Sequence, residues 1–454
     1  MSARCQNRPF GTHCVIPFIF KQSNSGALMS TQEFDVVVVG GSLAGCTTAI
    51  LLARKGLKVA LIEHHVQDSD YKHLCTHFIQ ASAVPVMRRL GVDRLIEEAG
   101  GVRNSIEIHT PYGWVGHHLG AGQDGKPLHG YNIRRSKLDP IMRAMASATQ
   151  GVTIMSGWSI KGLVEQGGRI AGIELASADR RITLRSHLLV AADGRNSPLA
   201  TLAGVKAKSA PNRRFAIFAP MRHVDLRRGD TSQMWLTGSE AAYVFPNDDG
   251  VAVVAWISPR ENLDASRGRA LGALTERIRS LPDAPQLRNA ELIDQVLTVK
   301  DYPNLWRPPV VRGMALVGDA AMSIDYMWGI GCGWALQSAE LLSDNIDAAA
   351  AKQGTGLDAA LRRYQRQHTW LFAGHRFLIN DFANRLSLNA IEKLMFSAAV
   401  KDVRIAHHLA RFVARIDGPM KFLAPAALLQ AIWVNLRQPV ASPDGTRPHI
   451  APPA

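Results

Sequence analysis

The feature that most constrains this chain is an uninterrupted apolar run, Val36-Val37-Val38-Val39, that meets Gly40-Gly41-Ser42-Leu43-Ala44-Gly45 and then a helical pattern. A continuous β-branched run suits a strand buried on both faces of a parallel sheet. Glycines directly after it allow a tight turn. A helix starting there aims unpaired amide N–H groups at whatever sits in front of it. Residues 44–55 carry the helical pattern, Gly56 stands where a C-cap belongs, and 57–62 read as the next strand, ending at Glu63. This is a βαβ start with a turn shaped for a pyrophosphate. The pattern Gly-x-Gly-x-x-Gly is filled by Gly40, Ser42 and Gly45, so serine replaces the middle glycine and still offers its amide and hydroxyl. Glu63 stands where a carboxylate accepts hydrogen bonds from ribose hydroxyls.

Far downstream, the strand-like Ala315-Leu316-Val317 ends in Gly318-Asp319, followed by Gly329-Ile330-Gly331-Cys332-Gly333. Ala335, Ala339, Leu342 and Ile346 then recur at helical spacing, so 333–351 reads as a helix packing one face inward. Two glycine turns so far apart in one chain suggest that they close on opposite ends of one long dinucleotide, which points to FAD.

Between them, 74–100 carries a helical pattern, with Pro85 near one start and breaks at Gly91 and Gly100. Residues 101–133, rich in glycine, histidine and aromatics (Trp114, His117, His118, His129, Tyr131), read as strands and loops. A helix is expected over 136–149 and strands near 152–156, 169–175 and 181–191. Segment 213–258 reads as antiparallel: strands at 233–236, 242–245 and 251–257, with Asn247-Asp248-Asp249-Gly250 as a turn. Residues 264–281 and 287–296 read as helices, and the last hundred residues as mainly helical. Within these, 422–434 is apolar but short and holds Pro425, so it reads as a buried or interfacial helix rather than a membrane span.

This order predicts an α/β fold with a discontinuous Rossmann-like FAD-binding domain (34–100, 134–204 and 301–351). A substrate-facing insertion (101–133), a mainly antiparallel β-sheet substrate domain (205–300) and a helical C-terminal region (352–437) complete it. Residues 1–28, with basic residues, no acid and a short apolar patch, read as a disordered extension ahead of Met29. The Pro-rich 438–454 reads as a mobile tail.

The net charge of +14 would favour anionic partners, but no run of five or six basic residues occurs, and the reading is a solvated basic surface. No nucleic-acid motif accompanies the charge. Five cysteines, an odd number with no Cys-x-x-Cys pair, argue against a disulfide framework or a zinc site and for a reducing cytoplasm. Cys46 and Cys332 read as small residues tolerated near a cofactor rather than redox centres. Without a Gly-x-Ser-x-Gly, a P-loop or a metal-binding histidine cluster, hydrolase, NTPase and metalloenzyme readings fall away.

Over 34–350 the chain resembles the FAD-dependent monooxygenases related to para-hydroxybenzoate hydroxylase, within the glutathione-reductase-like flavoprotein fold. The marks stand in that family's order: the first glycine loop, Arg135-Ser136-Lys137-Leu138, Asp193-Gly194 after an apolar strand, and Gly318-Asp319-Ala320-Ala321 before a second glycine loop. Tyr243-Val244-Phe245-Pro246 with Asp249-Gly250 is similar to the family's middle sheet. The resemblance implies FAD held by Gly40, Ser42, Leu43, Ala44 and Gly45, with Glu63 on the adenosine ribose. It implies Arg135 contacting FAD from the side, Asp193 supporting the nucleotide region, and Gly318 and Asp319 at the ribityl and pyrophosphate end. Gly329, Gly331 and Cys332 would present amides to the flavin's pyrimidine edge, where a helix N-terminus stabilises the negative charge of reduced flavin.

By the same resemblance, NADPH or NADH is the reductant and O2 the co-substrate. Oxygen passes through a flavin C4a-hydroperoxide to hydroxylate or epoxidise an aromatic or other electron-rich small molecule. Three departures bear on flavin mobility and nicotinamide docking. Met322 replaces a histidine, Asp325-Tyr326 a proline pair, and Pro198-Leu199 stand where an arginine often follows.

Candidate catalytic groups are His77, whose competing role is a hydrogen-bonded structural histidine, and Asp325 and Tyr326. Trp114, Trp235, Trp256 and Trp328 either line an aromatic pocket or belong to the core. Rival readings on the same scaffold are a flavin-dependent halogenase, whose Trp-x-Trp-x-Ile-Pro stretch is missing, and a prenyl-reductase-like flavoprotein. A third is a non-catalytic binding protein similar to the Rab GDP-dissociation inhibitors, against which Glu63 and Gly318-Asp319 argue.

Overall fold

The computed structural model describes residues 30–67, 69–116, 128–226, 229 and 231–438. The extension 1–28, the tail beyond Gln438, and His117 and His118 lie outside the described residues. The first sheet begins with β1 (Ser30–Val39), whose Val36, Val37 and Val38 have no exposed surface. Helix α1 (Leu43–Ala53) is buried at every residue, as its nearly unbroken small and apolar composition requires. The chain returns as β2 (Val59–Glu63) and, after the inserted segment, adds α2 (Arg135–Ala148), β3 (Val152–Ser156) and β4 (Arg181–Ala191). Strands β4 and β2 flank β1 in parallel, and β3 pairs parallel to β2. An antiparallel arm, Ser159–Gln166 and Arg169–Ala176, hangs from β4.

The second sheet holds β5 (Arg214–Arg222), β6 (Ser232–Thr237), β7 (Glu240–Pro246) and β8 (Val251–Pro259), in the spatial order β5-β8-β7-β6. These four are antiparallel, while Ile106–Thr110 from the inserted segment pairs parallel to β6. Trp235, Trp256, Leu274 and Ile278 form the core between this sheet and α3 (Ala270–Arg279). The chain then re-enters the first sheet as β9 (Met314–Leu316), parallel to β4. It continues through α4 (Gly331–Asn345), α5 (Leu357–Asn384) and, among other helices, α6 (Pro425–Arg437). The discontinuous α/β domain, the mainly antiparallel second sheet and the helical C-terminal region are thus all present.

Polar contacts join the two bodies. Arg134 donates from its backbone N to Asp248 Oδ1 at 2.8 Å and from its side chain to Oδ2 at 2.6 and 2.8 Å. Asp248 is fully buried, so the pair carries each partner's desolvation. Asn132 Nδ2 donates to the Pro246 carbonyl at 2.7 Å.

Three local expectations are corrected. The start of 74–100 is not helical: Phe78–Ile79 pairs with Gly130–Asn132, and His77 just before it has φ +57°, which breaks a helix. Segment 287–296 is no helix either, because Glu291–Leu292 pairs with the β5 edge. The helix expected over 333–351 breaks at Ile346, where the backbone is extended, and a short helix Ala348–Lys352 restarts under an Asp347 cap. Of the two readings of the apolar 422–434 segment, α6 fits the interfacial one: it is buried only at Ala431 and Val434 and turns Leu429, Ile432, Trp433 and Leu436 to solvent. Among the described residues no helix is long and apolar enough to cross a membrane.

Candidate active site

The first glycine loop turns at Gly40, φ +110°, where an added Cβ would lie 2.3 Å from the Ala192 carbonyl oxygen. At Gly45 the same atom would lie 1.7 Å from the Gly40 carbonyl oxygen, so α1 can seat on its own loop only with glycine there. The Gly41 amide donates to Glu63 Oε2 at 2.6 Å, which fixes the carboxylate at the loop's edge. Ser42 does not cap α1; its hydroxyl accepts from Arg135 Nη2 at 2.6 Å.

The second loop packs directly on the first. Gly318 has φ +57°, and a Cβ on it would meet the Ala44 methyl at 2.8 Å. Gly329, φ +59°, lies against the Phe78 ring, whereas a Cβ at Gly331 would meet no atom within 4 Å. Gly331 opens α4, whose first turn has no side-chain cap and no acid, so its amides are free to face a ligand.

Arg135 ties the two loops together. Fully buried, it donates to Ser42 on one side, approaches Cys332 Sγ at 3.8 Å on the other, and pairs with Asp139 at 2.7 Å. Asp139 also accepts from the Lys72 backbone N at 3.0 Å, and Lys72 Nζ pairs with Asp319 at 2.5 Å. The carboxylate of Asp319 holds the Lys72 ammonium well above its ordinary pKa.

These groups line one cavity of about 760 Å³, which runs from Gly40, Ser42 and Glu63 past Arg135 and Asp319 to Phe218, Tyr302, Ile324, Tyr326 and Trp334. Leu43, Ala44, Asp193, Gly329, Gly331 and Cys332 line it too. Gly45 and Gly318 lie beneath, where they let helix and loops approach.

The residues present fit FAD. Free amides at two helix starts, backbone surfaces that a Cβ would fill, a carboxylate at one end and an aromatic region at the other match its phosphates, ribose and ring system. Among the described residues no group of three or more His, Cys, Asp or Glu is placed to hold a metal ion.

Other expected residues take different places. His77 is not among the cavity-lining residues; its Nδ1 accepts from the Arg135 backbone N at 3.0 Å, and its own N–H donates to Cys75 Sγ at 3.2 Å. That bond holds the ring against the start of α2. Asp193 lines the cavity, but both its oxygens serve the turn behind it, accepting from Ser197 Oγ at 2.7 Å and Leu199 N at 2.9 Å. Burial raises its pKa. Trp235, Trp256 and Trp114 pack on the far side of the second sheet, and Trp328 packs on Phe382, so none of the four lines the cavity.

Asp325 and Tyr326 do line it. Asp325 is fully buried; burial raises its pKa, and the nearby Arg214 guanidinium opposes the rise. The Tyr326 hydroxyl is buried without a partner among the described residues, and its ring packs edge-on against Phe218 and Tyr302. Arg195 stacks over Tyr302 at 3.9 Å.

Lys72, Phe218, Tyr302 and Trp334 were not singled out by sequence reasoning. The spacing of Arg135 and Asp139 is a readable i,i+4 pair. Lys72 and Asp319 lie 247 residues apart, and no local signal joins them.

The family described as FAD binding domain matches residues 33–371, and the chain belongs to it. The protein is an FAD-dependent oxidoreductase, and the resemblance to the FAD-dependent monooxygenases is borne out. It is similar to 6-methylpretetramide 4-monooxygenase of Streptomyces rimosus, 26% identical over 72% of this chain and 82% of that one. It is likewise similar to digeranylgeranylglycerophospholipid reductase 1 of Methanococcoides burtonii, 24% identical over 82% of this chain and 86% of the relative. Among solved structures, p-nitrophenol 4-monooxygenase from Pseudomonas putida aligns with TM-score 0.72 at 18% identity, covering 86% of this chain and all of that one. That last likeness speaks to the fold.

Proposed function

We propose that the protein is a flavin monooxygenase that uses NADPH or NADH and O2 to oxygenate an aromatic or other electron-rich small molecule in a reducing cytoplasm. The observation that carries this reading is the continuity of the cavity. One lining joins the two FAD-holding loops to an aromatic region bearing a buried, unpartnered phenol, Tyr326. FAD, when bound, supplies the electron pair taken from the pyridine nucleotide and the reaction with O2. The chain's own groups do the rest. Free amides at the start of α4 stabilise negative charge brought to them. Phe218, Tyr302 and Trp334 exclude water and hold a flat substrate by its faces. Tyr326 offers a hydroxyl to a polar group on that substrate, and Asp325, whose pKa burial raises, stands buried beside it.

The test is NAD(P)H oxidation stimulated by members of a phenol, indole and polyketide panel, with ¹⁸O₂ label recovered in product. Yellow, FAD-loaded protein that incorporates no label from any panel member overturns the proposal. A second reading, reduction of an isoprenoid double bond, is favoured by the likeness to the archaeal reductase over most of both chains. It requires turnover without O2, and anaerobic assay with a prenylated lipid separates the two.

A further inference from the structure

The mechanism proposed above leaves unused two thiols in the cavity wall. Cys75 Sγ and Cys332 Sγ stand 3.6 Å apart, brought together across 257 residues. Alone in the sequence, Cys332 reads as a tolerated small residue; the fold gives it a partner. Cys75 sits on the strap that follows Lys72, and Cys332 in the first turn of α4, so the pair joins two separate segments of the cavity lining. Both segments are held: the strap by the Lys72 backbone bond to Asp139 and the Lys72–Asp319 pair, the turn by its helix.

The pair is chemically primed. Cys75 Sγ accepts the His77 backbone N–H at 3.2 Å, and the Arg135 guanidinium reaches Cys332 Sγ at 3.8 Å. A thiolate next to a guanidinium and a helix N-terminus is the setting in which cysteines become nucleophilic. Hydrogen bonding from Cys332 and His77 holds the Cys75 thiol well below the ordinary thiol pKa, while the same bond and burial hold Cys332 well above it, so Cys75 is the first of the two to ionise. Cys46 contrasts with them. Buried, with its S–H turned to the Gly41 carbonyl at 3.4 Å, its thiol is pushed far up by desolvation. A disulfide bond is about 2.05 Å long, so closure needs a movement of about 1.5 Å between the two sulfurs.

We infer that Cys75 and Cys332 form a reversible intrachain disulfide in the lining of the cofactor cavity when the protein meets a peroxide. The Cys75 thiolate attacks a peroxide oxygen. The S–O bond forms as the O–O bond breaks, and hydroxide leaves to take up a proton as water. Cys332 sulfur, giving up its proton, then attacks the sulfenic sulfur; the S–S bond forms, the S–O bond breaks and a second water leaves. Two thiols lose two electrons in all, and one hydrogen peroxide becomes two waters. A small dithiol such as dithiothreitol reverses the change by exchange. The bond fixes the strap and the start of α4 at one spacing, and so slows passage of FAD between cavity and solvent. This inference rests on FAD binding alone, not on the reaction proposed above.

The experiment treats FAD-loaded full-length protein with hydrogen peroxide, blocks remaining thiols with an alkylating reagent, and maps the five cysteines by peptide mass. The expected result is loss of two titratable thiols, a Cys75–Cys332 linked peptide that dithiothreitol releases, and slower FAD release, followed by flavin fluorescence, than from reduced protein. In Cys332→Ser the same treatment should give Cys75 sulfenic acid, trapped by a cyclic 1,3-diketone, with FAD release unchanged by peroxide. Cys332→Ala is the alternative if the serine variant does not fold. Retention of both thiols, a link through Cys46 instead, or over-oxidation of Cys75 without a link overturns the inference. So does a linked protein that releases FAD as fast as the reduced one.

Discussion

At the FAD end of the cavity the wall is largely backbone: Gly40, Gly41, Gly331 and the amides that open α1 and α4, with Arg135 as the tie. At the other end it is side chain, with Phe218, Tyr302, Ile324, Tyr326 and Trp334 projecting from the second sheet, its flanking loops and α4. At Gly40 and Gly45 backbone geometry admits few substitutions, because a single added methyl meets a carbonyl oxygen. A wall of side chains can be rebuilt residue by residue without disturbing the chain path. The first end suits a fixed ligand, and the second one whose recognition is set side chain by side chain.

That contrast can be broken in stages. The largest effect is expected from Gly45→Val, whose Cβ would fall 1.7 Å from the Gly40 oxygen. No FAD should be retained, read as the absence of yellow colour and of flavin released on denaturation; a yellow variant would show that the loop relaxes. Arg135→Ala comes next. It leaves buried Asp139 without its guanidinium and should cost roughly 3–5 kcal/mol in urea unfolding, with weaker FAD binding, and Arg135→Lys should recover only part of both.

A third effect concerns α5, which braces both ends. Tyr364 donates its hydroxyl to the Leu316 carbonyl at 2.7 Å, and near the far end Arg214 Nη1 donates to the Phe382 carbonyl at 2.8 Å. Between them, burial pushes His368 down to about 4 and His375 down to about 3. The folded-state values lie below the unfolded value of about 6.5, so this stability is present above pH 6.5 and is lost as pH falls towards 4. For His368 the amount is about 3 kcal/mol. Thermal melts from pH 7.5 to 4.5 should fall for the wild type and fall less for His368→Phe; parallel curves would remove the brace from the argument.

The smallest effect belongs to the side-chain wall. Tyr326→Phe removes a hydroxyl with no partner among the described residues, so stability should change by no more than about 0.5 kcal/mol and FAD content not at all. The KM of an accepted substrate should rise by up to about tenfold, the worth of one hydrogen bond. An unchanged KM would place the substrate elsewhere.

The same division explains what was legible in the residues. The strand–glycine–helix pattern at 36–45, Glu63 at a strand end and Gly318-Asp319 before a glycine-rich helix start are local signals, because each element's conformation is set by its own sequence. The fold class and the FAD end followed from them. The substrate end did not, because a tryptophan that lines a pocket and one that fills a core have the same neighbours in sequence. Trp256 and Trp334 differ only in which face of the fold they meet. His77 was no more legible, for a related reason: its backbone angle and its bond to the Arg135 amide are tertiary facts that its sequence neighbours do not announce.

The seam between Ala44 and Gly318 carries a consequence for biosynthesis. An emerging polypeptide displays the βαβ opening early, but the surface that completes its coenzyme groove is contributed by β9 and α4, ending at Asn345. Until that stretch has left the ribosome, the first glycine loop faces solvent with nothing opposite. Capture of the coenzyme is thereby deferred until most of the chain has been made.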